Sequence, residues 1–522
     1  MKIGVILTFS IAPFFCFDGF SIPSTKAVVE DIKIQNLYNE IFDLEFDFDK
    51  KTENTKTPLY LVVEDFRDMI FILLTEDKKN YEKLQINEEK RLELLEKFDN
   101  KESSYFKEYK WAKAEIKLHW AIIKLSFDEK WASAWRVRQA YKLLLENEKE
   151  YPNFIYHKKS LALLQITLAS VPKKYQWALD LIGMEAELKN GIQNLQKSTS
   201  QMHFFQKETL MWQMLLQTYL SENLIENSKT SKGIALDLLQ KYPSEKLVLL
   251  ASSLVLMKNE SHKTALLAWQ EYARNYQNNQ LIFEKKEHFS LDYLLAELYF
   301  YSEQHQKAKF HYSEFLRNVK KDNRINFIKD AYFKMFLIDW LRSSATSYDY
   351  QESIFFYSIS TQGIAKTAVD KNAQKFIELV KEHKHLPNKT LYQARILTDG
   401  GNYQKAQITL LQIDEKQLQK WENEKRFDII LEYYYRKARI LDKLHQTHQS
   451  ISFYKKVIEY STLHKQNEIH YFAANSALQL GFIFKKSDKE LAEKYFEMAM
   501  SFEGHQYEES ITQKAKLALE KL

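Results

Sequence analysis

The chain has 522 residues, enough for two or three ordinary domains or one continuous array, with only 10 Gly and 7 Pro, about a quarter of the usual share. Sheets, sandwiches and loop-built active sites use these residues for their turns, so their scarcity argues for helices joined by short connections. With 75 Lys and Arg against 70 Asp and Glu, the net charge of +5 is spread along the chain and forms no basic stripe of the kind a nucleic-acid reader carries.

Lys2 precedes an apolar run from Ile3 to Phe17. The run is too short to cross a bilayer as a helix and has the length of a signal-peptide core. Gly19 and Ser21 supply the small residues a signal peptidase reads, so residues 1–21 are expected to be a signal peptide cleaved after Ser21. The one cysteine, Cys16, follows Phe14 and Phe15 instead of the small residues that lipidation needs. The expected mature chain is therefore exported, periplasmic or cell-envelope associated, and without a thiol or disulfide. No later stretch has the apolar length of a membrane span, so none is expected in the mature chain.

Residues 22–230 read as an N-terminal helical repeat region. Helices are expected over Val28–Phe48, Pro58–Leu74, Glu89–Phe98, Ser103–Phe127 and Lys130–Glu148, with a polar loop at Lys50–Thr57. Pro58 suits the first turn of its helix, where a missing N–H costs nothing. Trp111, Ile116, Trp120, Ile123 and Phe127 recur at helical spacing and form one buried stripe. Tyr151–Met184 differs in kind, with a Ser170-Val171-Pro172 break and the pair Tyr175 and Trp177, and reads as a helix–turn–helix variant.

Residues 231–522 carry a countable repeat. In Thr390–Ile413, Ala394 and Leu397 share one face of a first helix; Gly400, Gly401 and Asn402 break it; Tyr403, Ala406 and Leu410 begin a second. Small residues at Ala394 and Ala406 let two antiparallel helices approach, while the large ones fill the space between them. The same layout recurs around Ala265, Ala308, Ser353, Ser450 and Ala492. Successive anchors stand 43, 45, 53, 44 and 42 residues apart, and the terminal stretch from Ser510 to Leu522 reads as an amphipathic capping helix.

These stretches resemble the tetratricopeptide (TPR) repeat, a helix, a tight turn and a second helix opening on a small residue. TPR units usually repeat every ~34 residues, whereas HEAT-like arrays run to about 40–47, so this period departs from the family. The recurring small residue followed four positions later by an aromatic favours TPR. The resemblance implies an all-α, right-handed superhelical array of antiparallel helix pairs, and a function of binding a protein or peptide partner in a concave groove. Carried onto this chain, its groove-facing positions are Leu391, Arg395 and Thr398, then Glu432, Tyr435, Arg439 and Asp442, then Asn475, Leu478, Phe482 and Lys485. Of these Arg395, Thr398, Tyr435, Arg439, Asn475 and Lys485 are the expected partner-binding residues. Arg395 and Arg439 occupy equivalent places in neighbouring units and suit a carboxylate. Alternatively, both pair with Glu432 and Asp442 within the chain.

Sites for chemistry are not evident. The one Gly-Gly pair, at 400–401, lacks the Lys and Ser/Thr of a phosphate loop, and neither a Gly-x-Ser-x-Gly elbow nor a His-Glu-x-x-His run occurs. His445 with His448, and His383 with His385, lie in polar turns without a third ligand. The expectation is therefore a non-enzyme with no catalytic residue, cofactor, metal or nucleic-acid partner. A surface glycan-handling TPR protein and, further off, a helical-toroid hydrolase remain the alternatives.

Overall fold

Helix ends are set locally. In the helix Pro58–Thr75, proline occupies the first turn and the Thr57 hydroxyl accepts from the Tyr60 N–H at 3.4 Å. Asn388, Asp414 and Asp488 cap their helices the same way, accepting from Leu391, Gln417 and Leu491 N–H groups at 2.8–3.0 Å. Each cap satisfies a donor that the helix itself leaves unpaired. The computed structural model describes residues 25–48, 57–169, 187–219, 230–277, 281, 289–319, 325–343, 354–383, 386–465, 470–505, 507–519 and 522. Among the described residues the chain is all-helical, with no strand. The expected signal peptide with Cys16, the 170–177 break, the Ser353 anchor and His385 lie outside them, as does most of the expected loop at 50–57.

The expected helices are present with small shifts at their ends: Thr25–Phe42, Pro58–Thr75, Ile86–Leu95, Phe106–Ser126 and Lys130–Glu150. Trp111, Ile116, Trp120 and Ile123 are fully buried, as one stripe of Phe106–Ser126. Further on, helices pack as sequence-adjacent pairs: Lys246–Lys258 with His262–Tyr276, Phe289–Tyr301 with His305–Asn318, Lys389–Asp399 with Tyr403–Leu410, Phe427–Lys443 with Thr447–Leu463, and Phe472–Phe484 with Lys489–Ser501. Glu508–Leu519 packs on the last pair. The anchors Ala265, Ala308, Ala406, Ser450 and Ala492 are all completely buried. At such positions a side chain larger than a methyl or hydroxymethyl group would hold the two helices apart.

Four of the pair turns share one backbone solution. Glu260, Glu303, Gly401 and His445 have φ of 53°, 62°, 82° and 59°. The N–H of the next residue then donates to the carbonyl five residues upstream, at 2.8–2.9 Å: Ser261 to Leu256, Gln304 to Tyr299, Asn402 to Leu397 and Gln446 to Leu441. A left-handed residue followed by this bond closes a helix and satisfies its last carbonyls. The last pair differs. The sequence pattern leads one to expect a turn one residue shorter than the others here, but it runs over four residues, 485–488, against three in the others. It lacks a left-handed residue and is closed by the Asp488 cap.

One apolar core runs from Ile34 to Leu386, with members on both sides of the boundary expected at 230, and separate clusters cover Leu391–Ile440 and Ala438–Ala518. Early helices also meet distant ones. Thr25–Phe42 packs on Lys246–Lys258, and Pro58–Thr75 on Phe289–Tyr301. Glu76 accepts from the Asn326 side chain at 3.0 Å, 250 residues away in sequence. Contacts of this range add to the nearest-neighbour packing that alone holds a simple repeat array together.

Candidate functional site

The turn after Lys389–Asp399 is where distant parts of the chain converge. Its two glycines are required by proximity. A Cβ on Gly401 would lie 2.2 Å from the Glu260 carbonyl oxygen, and one on Gly400 would lie 2.6 Å from that of Tyr301. Asn402 donates from its amide to the same Tyr301 carbonyl at 3.2 Å. This seats the turn against the ends of two upstream helices and brings Glu260 beside the helix Phe427–Lys443.

Glu260 is then the hub of a charged cluster. It accepts from Arg439 at 2.8 Å and from the Tyr403 hydroxyl at 2.6 Å, and pairs with Lys443 at 2.9 Å. Arg439 also donates to Asp399 at 2.7 Å. Burial pushes the Asp399 carboxyl up, but Arg439 and then Arg395 outweigh it and hold it below the usual carboxylate range. The expected groove residue Arg439 is thus tied on both sides, and to partners other than the Glu432 and Asp442 considered from sequence. Asp442 instead faces Tyr454, whose hydroxyl lies 3.5 Å away.

Arg395 is held differently. Among the described residues its polar contact is a 3.7 Å approach to Asp399, a carboxylate already engaged by Arg439, and its guanidinium lies 5.6 Å from the Tyr392 ring centre. Its side chain keeps 35% of its surface exposed. Burial works against its charge, while Tyr392, Tyr471, Asp399 and Glu432 raise its proton affinity above the usual range. Tyr471 meets Tyr507 edge-on at 5.0 Å, and the Tyr507 hydroxyl donates to Asn372 at 3.2 Å. Tyr392, Tyr471 and Tyr507, from three separate stretches, thus lie in the neighbourhood of Arg395.

Arg436 is the residue that the sequence reading missed. It is 3% exposed and donates to Glu432 from Nε at 3.1 Å and from one Nη at 2.7 Å. Among the described residues its other terminal nitrogen, Nη1, is buried without a hydrogen-bond partner. The guanidinium lies over the rings of Tyr435 and Phe472 at 5.4 and 5.6 Å. Burial opposes its charge, Glu432 and Tyr471 more than restore it, and Arg395 is close enough to work against it. The available signal was Arg436 four residues after Glu432, a spacing that places both on one helix face.

The other expected residues are placed as follows. Tyr435 is buried, stacked on Phe472 at 4.7 Å, and its hydroxyl accepts from Asn475 at 2.6 Å. Thr398 is buried and donates to the Ala394 carbonyl at 2.7 Å. Lys485 follows the helix Phe472–Phe484 at its C-terminal end, away from the Glu260 cluster's hydrogen bonds. The structure joins Arg395, Arg439, Tyr435 and Asn475 into one neighbourhood, adds Arg436, Tyr471 and Glu260, and gives Thr398 a backbone-bonding place.

Among the described residues no group of His, Cys, Asp and Glu is arranged to hold a metal, and no helix is long and apolar enough to cross a membrane. In comparison with known proteins, no family model matches the chain and no curated protein does.

Proposed function

We propose that this chain is an exported TPR-like scaffold, a right-handed superhelical array that binds a protein or peptide partner non-covalently through a carboxylate held between Arg395 and Arg436. The observation that carries the reading is the buried Nη1 of Arg436, without a hydrogen-bond partner among the described residues, together with Arg395, whose polar contact among them is a 3.7 Å approach to Asp399. A buried donor left unpaired costs about 1–3 kcal/mol, and a carboxylate would recover this with charge-assisted bonds. The tyrosines around Arg395 favour a peptide over a free ion, since they offer both ring faces and hydroxyls. The three carboxylates nearby, Asp399, Glu260 and Glu432, are each engaged by an Arg or Lys, which supports binding over acid–base hydrolysis.

The test is affinity capture from cell-envelope extract with the tagged chain, alongside Arg395→Ala and an elution step with a short acidic peptide. Capture of a defined partner, its release by the acidic peptide, and at least about a thirtyfold weaker hold by Arg395→Ala are expected, from the ~2 kcal/mol or more that a desolvated charge pair contributes. A partner captured equally well by Arg395→Ala and unaffected by the peptide would remove Arg395 from the site.

A further inference from the structure

A second surface lies far from this cluster in sequence and is independent of it. The helix Lys130–Glu150 buries Ser133, Ala140, Tyr141 and Leu144 against its neighbours. Its outer side carries Trp131, 76% exposed, and Trp135, 53% exposed, one turn apart. Tryptophan is the side chain that loses most by facing water, and nothing in the packing of this hairpin requires two of them outside. The Arg138 guanidinium lies 5.4 Å from the Trp135 ring centre, and Lys142 follows one turn further on, exposed.

The charge beside the indoles is mostly positive. Residues 130–142, KWASAWRVRQAYK, contain four cations and no carboxylate. Arg136 is paired with Glu88 at 2.7 Å, and Arg138 and Lys142 continue the face of the two indoles. The two acids of the preceding turn are engaged, Asp128 by Lys366 at 3.0 Å and Glu129 by Lys124 at 3.1 Å. Leu125 and Ile122 are also exposed at this end of the hairpin, where the Ser133 hydroxyl ties the two helices together by donating to the Ala121 carbonyl at 2.7 Å.

We infer that this face docks on an anionic lipid bilayer, with Trp131 and Trp135 entering the headgroup zone and Arg138 and Lys142 meeting lipid phosphates. Indoles with an apolar body and a polar N–H partition to that zone, and cations beside them add attraction to acidic headgroups. A single-stranded nucleic acid also stacks on indoles and follows cations, but it gains nothing from Leu125 and Ile122, whereas lipid acyl chains do. The helix would lie along the membrane and not span it.

Flotation of the full chain with phosphatidylglycerol-containing vesicles and with pure phosphatidylcholine vesicles tests this, comparing wild type with Trp131→Ser/Trp135→Ser and with Arg138→Ala/Lys142→Ala. Wild type should float with the anionic vesicles, less so as salt rises. The cation variant should partition about thirtyfold more weakly, from roughly 1 kcal/mol per charge near such a surface. The tryptophan variant should stay behind while keeping the wild-type melting temperature, because its substitutions are outside the core. Equal flotation of wild type and tryptophan variant overturns the inference. So does a concentration-dependent dimer, or binding to single-stranded RNA, that the tryptophan variant loses while vesicle binding stays unchanged.

Discussion

Arg439 and Glu260 are 179 residues apart in the chain and meet at 2.8 Å, with Asp399 on the other side of the same guanidinium at 2.7 Å. This contact fixes the helix Phe427–Lys443 to the turn that ends Lys246–Lys258. Replacing Arg439 by Met would leave two carboxylates facing each other across the gap. A loss of about 3 kcal/mol is expected, the lower end for a broken buried pair because the arginine keeps 24% of its surface exposed. Urea denaturation measures it, and a cost under half a kcal/mol, roughly that of an exposed pair, would show the contact to be incidental.

The left-handed turn position separates glycine from its equivalents. Gly401 has φ +82° and the Glu260 carbonyl pressed against it, so Gly401→Ala should cost about 2 kcal/mol or more. His445 sits at the matching place with φ 59° and an exposed side chain. His445→Gly should instead gain about 0.5–1 kcal/mol, because it relieves the steric penalty of that region. Opposite signs in thermal melts of the two variants are the expected result.

A buried triad lies in the first half. Lys159, 1% exposed, bonds Glu115 at 2.5 Å and Glu208 at 2.8 Å. Burial pushes the Glu115 carboxyl up, yet Lys159 and His119 pull it below its ordinary value. Lys159→Met strands two buried carboxylates and should cost about 3–5 kcal/mol. Adding Glu115→Gln and Glu208→Gln should restore most of it, since a neutral trio needs no counter-charge. A triple variant as unstable as the single one would mean that packing, not charge, sets the cost.

Two histidines give the fold an acid limit. Burial pushes both His157 and His262 down to about 4. Their folded values lie below the unfolded value near 6.5, so the neutral rings stabilise the fold above that pH, and stability drains as pH falls from about 6.5 towards about 4. Each contributes up to about 3 kcal/mol across that window. In urea melts at both ends of it, His157→Gln and His262→Gln should each lose less stability than wild type; identical slopes would mean that other groups carry the acid sensitivity.

What the sequence determined was local. Helix periodicity, the small anchors at Ala265, Ala308, Ala406, Ser450 and Ala492, and the Asn388, Asp414 and Asp488 caps all act within one or two turns, so residue spacing encodes them. The tertiary structure decided which cations were already engaged. Arg439 looked equivalent to Arg395, but Glu260 arrives from another helix pair to claim it, while Arg436, one position out of register with the expected groove, keeps a buried donor unfilled. Charge pairing depends on distance in space, and a contact spanning 179 residues leaves no trace in the spacing around either partner.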